Sequence, residues 1–196
     1  MTRVLLIQAG QTPWDVEGRL GGRHSLPLQP DARARIQRTI DEFPPPPPVA
    51  VYRARRNEAC DEVAKLIAVK FNLRPRDNAD LDEIDVGLWQ GLTRNDLRTR
   101  YPSAFVQWEK HPDAVTPPDG ESFVDAVDRL AGALRNIIRR NRESTIAIAV
   151  RPMSMRLAAG ILKGESAEQM AAHLHEATPL ETIELDADAL RRVTGK

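Results

Sequence analysis

The sequence predicts an α/β protein, a three-layer α/β/α sandwich around a mostly parallel central sheet. Three observations predict it. The apolar runs Val4-Leu5-Leu6-Ile7, Val49-Ala50-Val51-Tyr52 and Thr145-Ile146-Ala147-Ile148-Ala149-Val150 are continuous rather than alternating, as in strands covered on both faces. Stretches of helical spacing separate them. The resulting order (strand, helix, strand, helix, helices, strand, helix, strand) alternates as parallel sheets require. With 196 residues, the chain suits a single domain over 1–196 with a sizeable core.

The elements follow in order. The first strand ends at Gln8-Ala9-Gly10. Residues 11–29 carry Pro13, Gly18, Gly21, Gly22 and Pro27 and read as a loop. Pro30-Asp31 opens a helix to about Glu42, and the prolines Pro44 to Pro48 form a stiff connector. After the second strand, a helix over 58–71 places Val63, Leu66, Ile67 and Lys70 on one buried face. Residues 81–93 are loop, followed by short helices at 94–100 and 103–110. Ser122 with Asp125 caps a helix whose stripe is Val124, Val127, Leu130, Leu134 and Ile137-Ile138. Thr145 to Val150 is the most apolar strand and belongs at the sheet centre. A helix begins after Pro152. The tail offers a strand at 182–185 and a short one at 190–193.

Composition narrows the function classes. Lys+Arg and Asp+Glu number 28 each, which gives no basis for nonspecific binding to nucleic acid or an anionic membrane. Cys60 is the only cysteine, so no intrachain disulfide and no cysteine-rich metal site is expected, and no cofactor. The apolar run at Val4 is too short for a signal peptide, and none reaches the ~20 residues of a membrane helix. The expectation is a cytoplasmic protein whose partner is a small molecule or another protein. A homodimer is compatible with the fold.

In a parallel sheet, ligands bind where loops leave the carboxyl ends of strands. That directs attention to the loops after Ile7, Tyr52 and Val150. Here the sequence resembles the histidine phosphatase (phosphoglycerate mutase-like) superfamily. Gln8-Ala9-Gly10-Gln11-Thr12, Asp15 and Gly18-Arg19 stand where that family has Arg-His-Gly-Glu-Thr, an Asn, and Gly-Arg. Leu26-Pro27-Leu28 matches its following turn. Leu81 to Thr93 matches its Leu-x-Glu-x3-Gly-x-Trp-x-Gly signature, Pro118-Asp119-Gly120-Glu121-Ser122 its Pro-x-Gly-Glu-Ser segment, and Arg129 an arginine on the next helix. Arg151-Pro152-Met153 follows the last central strand, where the family has His-Gly-Gly.

The departures fall on the chemistry that the resemblance implies. The family's nucleophilic histidine aligns with Ala9, its second histidine with Arg151, its first arginine with Gln8, and a pocket arginine with Glu58 or Ala59. Glu83 keeps the family's acid/base position. Alanine has no lone pair with which to attack phosphorus. The expectation is therefore a chain that keeps the fold without being an enzyme, in a binding, scaffolding or regulatory role. Its pocket would comprise Gln8, Gly10, Gln11, Asp15, Arg19, Glu58, Glu83 and Arg151, either open or closed by an Arg151–Glu83 ion pair. The alternative is a phosphatase or mutase-type enzyme of non-family mechanism, with Glu83 as base and Arg151 as electrophile. Arg53, Arg55 and Arg56 border the same loops. His24, in the loop before Pro27, ranks low as a replacement nucleophile. His111, His173 and His175 map away from the strand ends, and Trp14, Trp89 and Trp108 read as packing residues.

Overall fold

Each apolar run becomes a strand in the computed structural model, which describes residues 1–176 and 178–195. The strands are β1 (Thr2–Gln8), β2 (Ala50–Ala54), β3 (Pro75–Asn78), β4 (Thr145–Val150) and β5 (Leu180–Leu185). They form one sheet in the order β3-β2-β4-β1-β5. The β1–β4, β2–β4 and β2–β3 pairs are parallel, and β5 runs antiparallel to β1. β4 lies at the centre, as predicted, and all six of its residues are buried.

The helices are α1 (Pro13–Val16), α2 (Pro30–Asp41), α3 (Glu58–Phe71), α4 (Arg94–Arg100), α5 (Pro102–Lys110), α6 (Phe123–Arg140), α7 (Pro152–Lys163), α8 (Ala167–Ala172) and α9 (Ala187–Thr194). α3 packs on β2 and β4 with α2 beside it, while α7 packs on β1 and β5 and meets α6 and α9. The caps follow the sequence. The Asn57 side chain accepts from the Cys60 N–H at α3, and the Ser122 side chain accepts from the Asp125 N–H at α6, each satisfying a donor with no intrahelical acceptor.

Several local expectations are corrected. Residues 190–193 lie in α9, not in a strand: Asp186 caps the helix by accepting from the Ala189 N–H, and Val193 is buried. β3 was not predicted, because Pro75-Arg76-Asp77-Asn78 carries no apolar pattern. It is an edge strand, paired with β2 alone. The stripe of α6 holds at Leu130, Leu134 and Ile137-Ile138 but not at its start: Val124 is 60% exposed, and Phe123, Ala126 and Ala133 join the inward positions. On α3, Lys70 is exposed and its ammonium reaches Asp41 at 2.8 Å, while Ala59, Cys60, Ala64 and Ala68 complete the buried face. The loop over 11–29 contains the short helix α1. No described helix is long and apolar enough to cross a membrane.

Candidate active site

The parallel register sets the site. Gln8 at the end of β1 pairs with Val150 at the end of β4, and the Ala9 N–H donates to the Val150 carbonyl at 2.8 Å. Arg151, the next residue, is thereby placed beside Ala9. Pro152 opens α7, a position that needs no N–H, and Arg151 stands before it in extended conformation. Arg151 is 2% exposed. Its guanidinium donates to the Ala9 carbonyl at 3.3 Å, the Gly10 carbonyl at 3.0 Å, and the two Asp15 carboxylate oxygens at 2.7 and 2.8 Å.

A buried guanidinium requires a neutralising anion, and Asp15 supplies it. The Thr12 N–H and hydroxyl each donate to Asp15 Oδ2 at 2.7 Å, fixing the carboxylate from its other side. Burial alone would raise the Asp15 pKa. The Arg151 charge and hydrogen bonds, with those from Thr12, outweigh burial and hold the carboxyl below its ordinary 3.8.

The predicted Arg151–Glu83 ion pair is corrected: the anion on Arg151 is Asp15. Glu83, 5% exposed, instead completes the start of α7. Its Oε1 accepts from the Ser154 N–H at 2.7 Å, the Ser154 hydroxyl at 2.8 Å and the Ile84 N–H at 2.9 Å, and its Oε2 accepts from the Met153 N–H at 3.0 Å. These include orphan donors of a helix N-terminus, where a carboxylate is favoured. Burial pushes the Glu83 pKa up, against the pull of those donors and of the Arg151 charge. With four donors already on it, Glu83 is badly placed to act as a base.

His24, ranked low from the sequence as a nucleophile, is buried close to Arg151. It is 8% exposed, its ring stacks on Trp14 with centroids 4.2 Å apart, and the Asn57 side-chain N–H donates to its carbonyl at 3.0 Å. Nδ1 lies 2.7 Å from the Gly21 carbonyl. A carbonyl only accepts, so Nδ1 carries the proton and the lone pair of the neutral ring resides on Nε2. Nε2 is buried and has no hydrogen-bond partner among the described residues. Burial lowers the His24 pKa and the nearby Arg151 charge adds to it, while the Gly21 bond and Asp15 oppose. A Cβ on Gly21 would lie 3.0 Å from His24 Cε1 and 3.7 Å from an Arg151 guanidinium nitrogen, so the bare glycine lets histidine and arginine approach.

Next to His24, Ser25 begins an open basin of about 410 Å³ lined also by Arg53, Arg55, Arg56, Asn57, Glu58 and Asp61. Arg53 is committed to Asp61 at 3.4 Å and Asp77 at 2.9 Å. Arg55 and Arg56 make no side-chain ion pair with any described residue, and their backbone N–H groups are held by Asp82. Arg56 also lines, with Arg23, Asn57, Asp82 and Glu83, a small cleft of about 10 Å³, room for about one water.

Of the remaining predicted site residues, Gly10 meets Arg151 through its carbonyl and also lines, with Gln8 and Gln11, a separate groove against α2; the others do not converge on Arg151. Arg19 turns to Glu17 at 2.5 Å and the Gly91 carbonyl at 2.8 Å. Glu58 is exposed at the first turn of α3 and faces the basin, because α3 turns Ala59, not Glu58, inward. His111 is exposed after α5, His173 pairs with Glu176, and His175 packs at a tilt against Trp108, all apart from the strand ends.

A mixed sheet with flanking helices and a polar cluster at the carboxyl ends of β1, β2 and β4 defines an α/β protein with a loop-built site. Residues 4–194 match the histidine phosphatase superfamily (branch 1), and the chain belongs to that family. It is 22% identical over 156 residues to phosphoserine phosphatase 1 of Hydrogenobacter thermophilus, covering 80% of this chain and 74% of that protein. It is 28% identical over 153 residues to the metal-independent phosphoserine phosphatase of Arabidopsis thaliana, covering 76% of this chain and 63% of that one. The solved structure of Bacillus stearothermophilus YhfR superimposes with a TM-score of 0.85 at 24% identity, covering 95% of this chain and 93% of that one. The expectation of a non-enzyme is corrected by these relatives: both curated proteins are named phosphatases, which points, at low identity, to an enzyme.

Proposed function

We propose that this chain hydrolyses phosphomonoesters with His24 Nε2 as the nucleophile, in place of a group at the Ala9 position. The observation that carries the reading is the unpartnered Nε2 lone pair of a neutral histidine beside a buried arginine. Phosphoryl transfer asks little of the protein beyond a positioned nucleophile and cations on the developing charge. Arg151 supplies the deep cation, and the phosphoryl group exchanges with Asp15 for its guanidinium. Arg55 and Arg56 draw the dianion in through the basin beside Ser25.

Nε2 forms a bond to phosphorus as the ester P–O bond breaks, and the leaving oxygen takes a proton from a water. The hydroxide so formed attacks phosphorus, the P–N bond breaks, and inorganic phosphate leaves with neutral His24 restored. Nε2 is enclosed, so the 17–28 loop lifts with Trp14 during turnover. The phosphatase names of the relatives support the substrate class.

The test is hydrolysis of an aryl phosphate by the purified chain, with acid-labile, base-stable labelling from a phosphorus-labelled substrate. Turnover and label that both vanish in His24→Gln support the reading. Absence of turnover in the parent, or turnover undiminished in His24→Gln, overturns it.

A further inference from the structure

We propose that the groove between β1 and α2 is a second ligand site, taking an apolar α-amino acid as its zwitterion. The half-open groove has a volume of about 610 Å³, within the range of small-molecule sites. Ile7, Ala32 and Ile36, nearly or wholly buried, and the exposed Pro179 give it an apolar floor, and α2 with its C-cap residue gives it a wall bearing Arg38 and Glu42.

The two charges are the telling feature. They stand four residues apart, Arg38 in the last turn of α2 and Glu42 at its C-cap, yet they form no ion pair with each other or with any described residue. The order of arginine before the acid is the weaker one for such a pair, which leaves both groups open to a ligand. Arg35 on the same wall is already occupied by Asp31 at 2.6 Å and by the Gln11 side chain at 3.1 Å.

A simple anion in the groove would meet Glu42, and a simple cation would meet Arg38. A zwitterion satisfies both: its carboxylate accepts from Arg38, a charge-assisted bond that guanidinium geometry favours, and its ammonium donates to Glu42. An aliphatic side chain then covers the floor. None of this depends on the phosphoryl chemistry proposed for His24.

The experiment is calorimetric titration of the full chain with L-leucine, beside 4-methylpentanoate, which lacks the ammonium, and 3-methylbutylamine, which lacks the carboxylate. Leucine should saturate, and each single-charge analogue should bind roughly ten- to a hundredfold more weakly. Arg38→Gln and Glu42→Gln, both at exposed positions, should each weaken leucine by a similar factor while the circular dichroism spectrum is retained. No leucine binding at millimolar concentration, analogues that bind as well as leucine, or folded variants with unchanged affinity would each overturn the proposal.

Discussion

Replacing Asp15 by alanine removes the anion from a guanidinium that has almost no contact with water. In the parent, Asp15 accepts two charge-assisted bonds from Arg151 at 2.7 and 2.8 Å, with side-chain exposures of 24% and 3% for the acid and the base. Breaking a buried pair by deleting one partner costs about 3–5 kcal/mol. The partial exposure of Asp15 lets water soften the loss, so the lower end, about 3 kcal/mol, is expected. For a chain of this size that is roughly 6–12 °C in Tm. The pH dependence separates this account from simple loss of packing. The folded pKa of Asp15 is depressed, so its contribution is complete above its unfolded value and is lost as pH falls through the folded one. Thermal unfolding of parent and Asp15→Ala should therefore differ by a constant gap from pH 7 down to about the ordinary 3.8, and the gap should close below it. A gap that persists unchanged into that acid range would refute the argument that the stability lies in the ion pair.

Three further outcomes follow from the geometry. Because burial holds the His24 pKa below 6.5, the nucleophile stays neutral through mildly acidic solution, and the acid limb of the aryl-phosphate pH–rate profile should fall below 6.5. A limb centred above that value would place another group in control. Glu83→Gln presents an amide N–H₂ to a cluster of donors at α7, stranding at least one at about 1–3 kcal/mol, and differential scanning calorimetry should show the loss even without substrate. Gly87 has φ +50°, and a Cβ there would lie 2.1 Å from the Pro118 carbonyl oxygen. Gly87→Ala should thus cost about 1–3 kcal/mol from overpacking plus the strain of a left-handed alanine, read as a lower urea midpoint.

Much of the fold was legible because it rests on local patterns. The continuous apolar runs became β1, β2 and β4, the bounds of α3 fell at Glu58–Phe71, and Ser122 capped α6 as its hydroxyl suggested. What escaped was set by tertiary pairing. β3 exists only because β2 offers its edge. His24 reached the strand ends because the loop turns at Gly22, where φ is +59° and no side-chain pattern marks the direction.

The choice between Asp15 and Glu83 as the partner of Arg151 was nonetheless open to inference. α7 begins Arg151-Pro152-Met153-Ser154, with no Ser, Thr, Asp or Asn in the position before Pro152 to accept from its first N–H groups. A buried helix start without its own cap must draw an acceptor from elsewhere. Glu83 is that acceptor, taking the Met153 and Ser154 N–H groups. Once Glu83 is spent on the helix, the anion needed by buried Arg151 has to come from the loop that follows β1, and Asp15 is the only carboxylate within the first eight residues after that strand. The missing cap on one helix thus determines which acid neutralises the site, and which acid a phosphoryl group must displace to enter it.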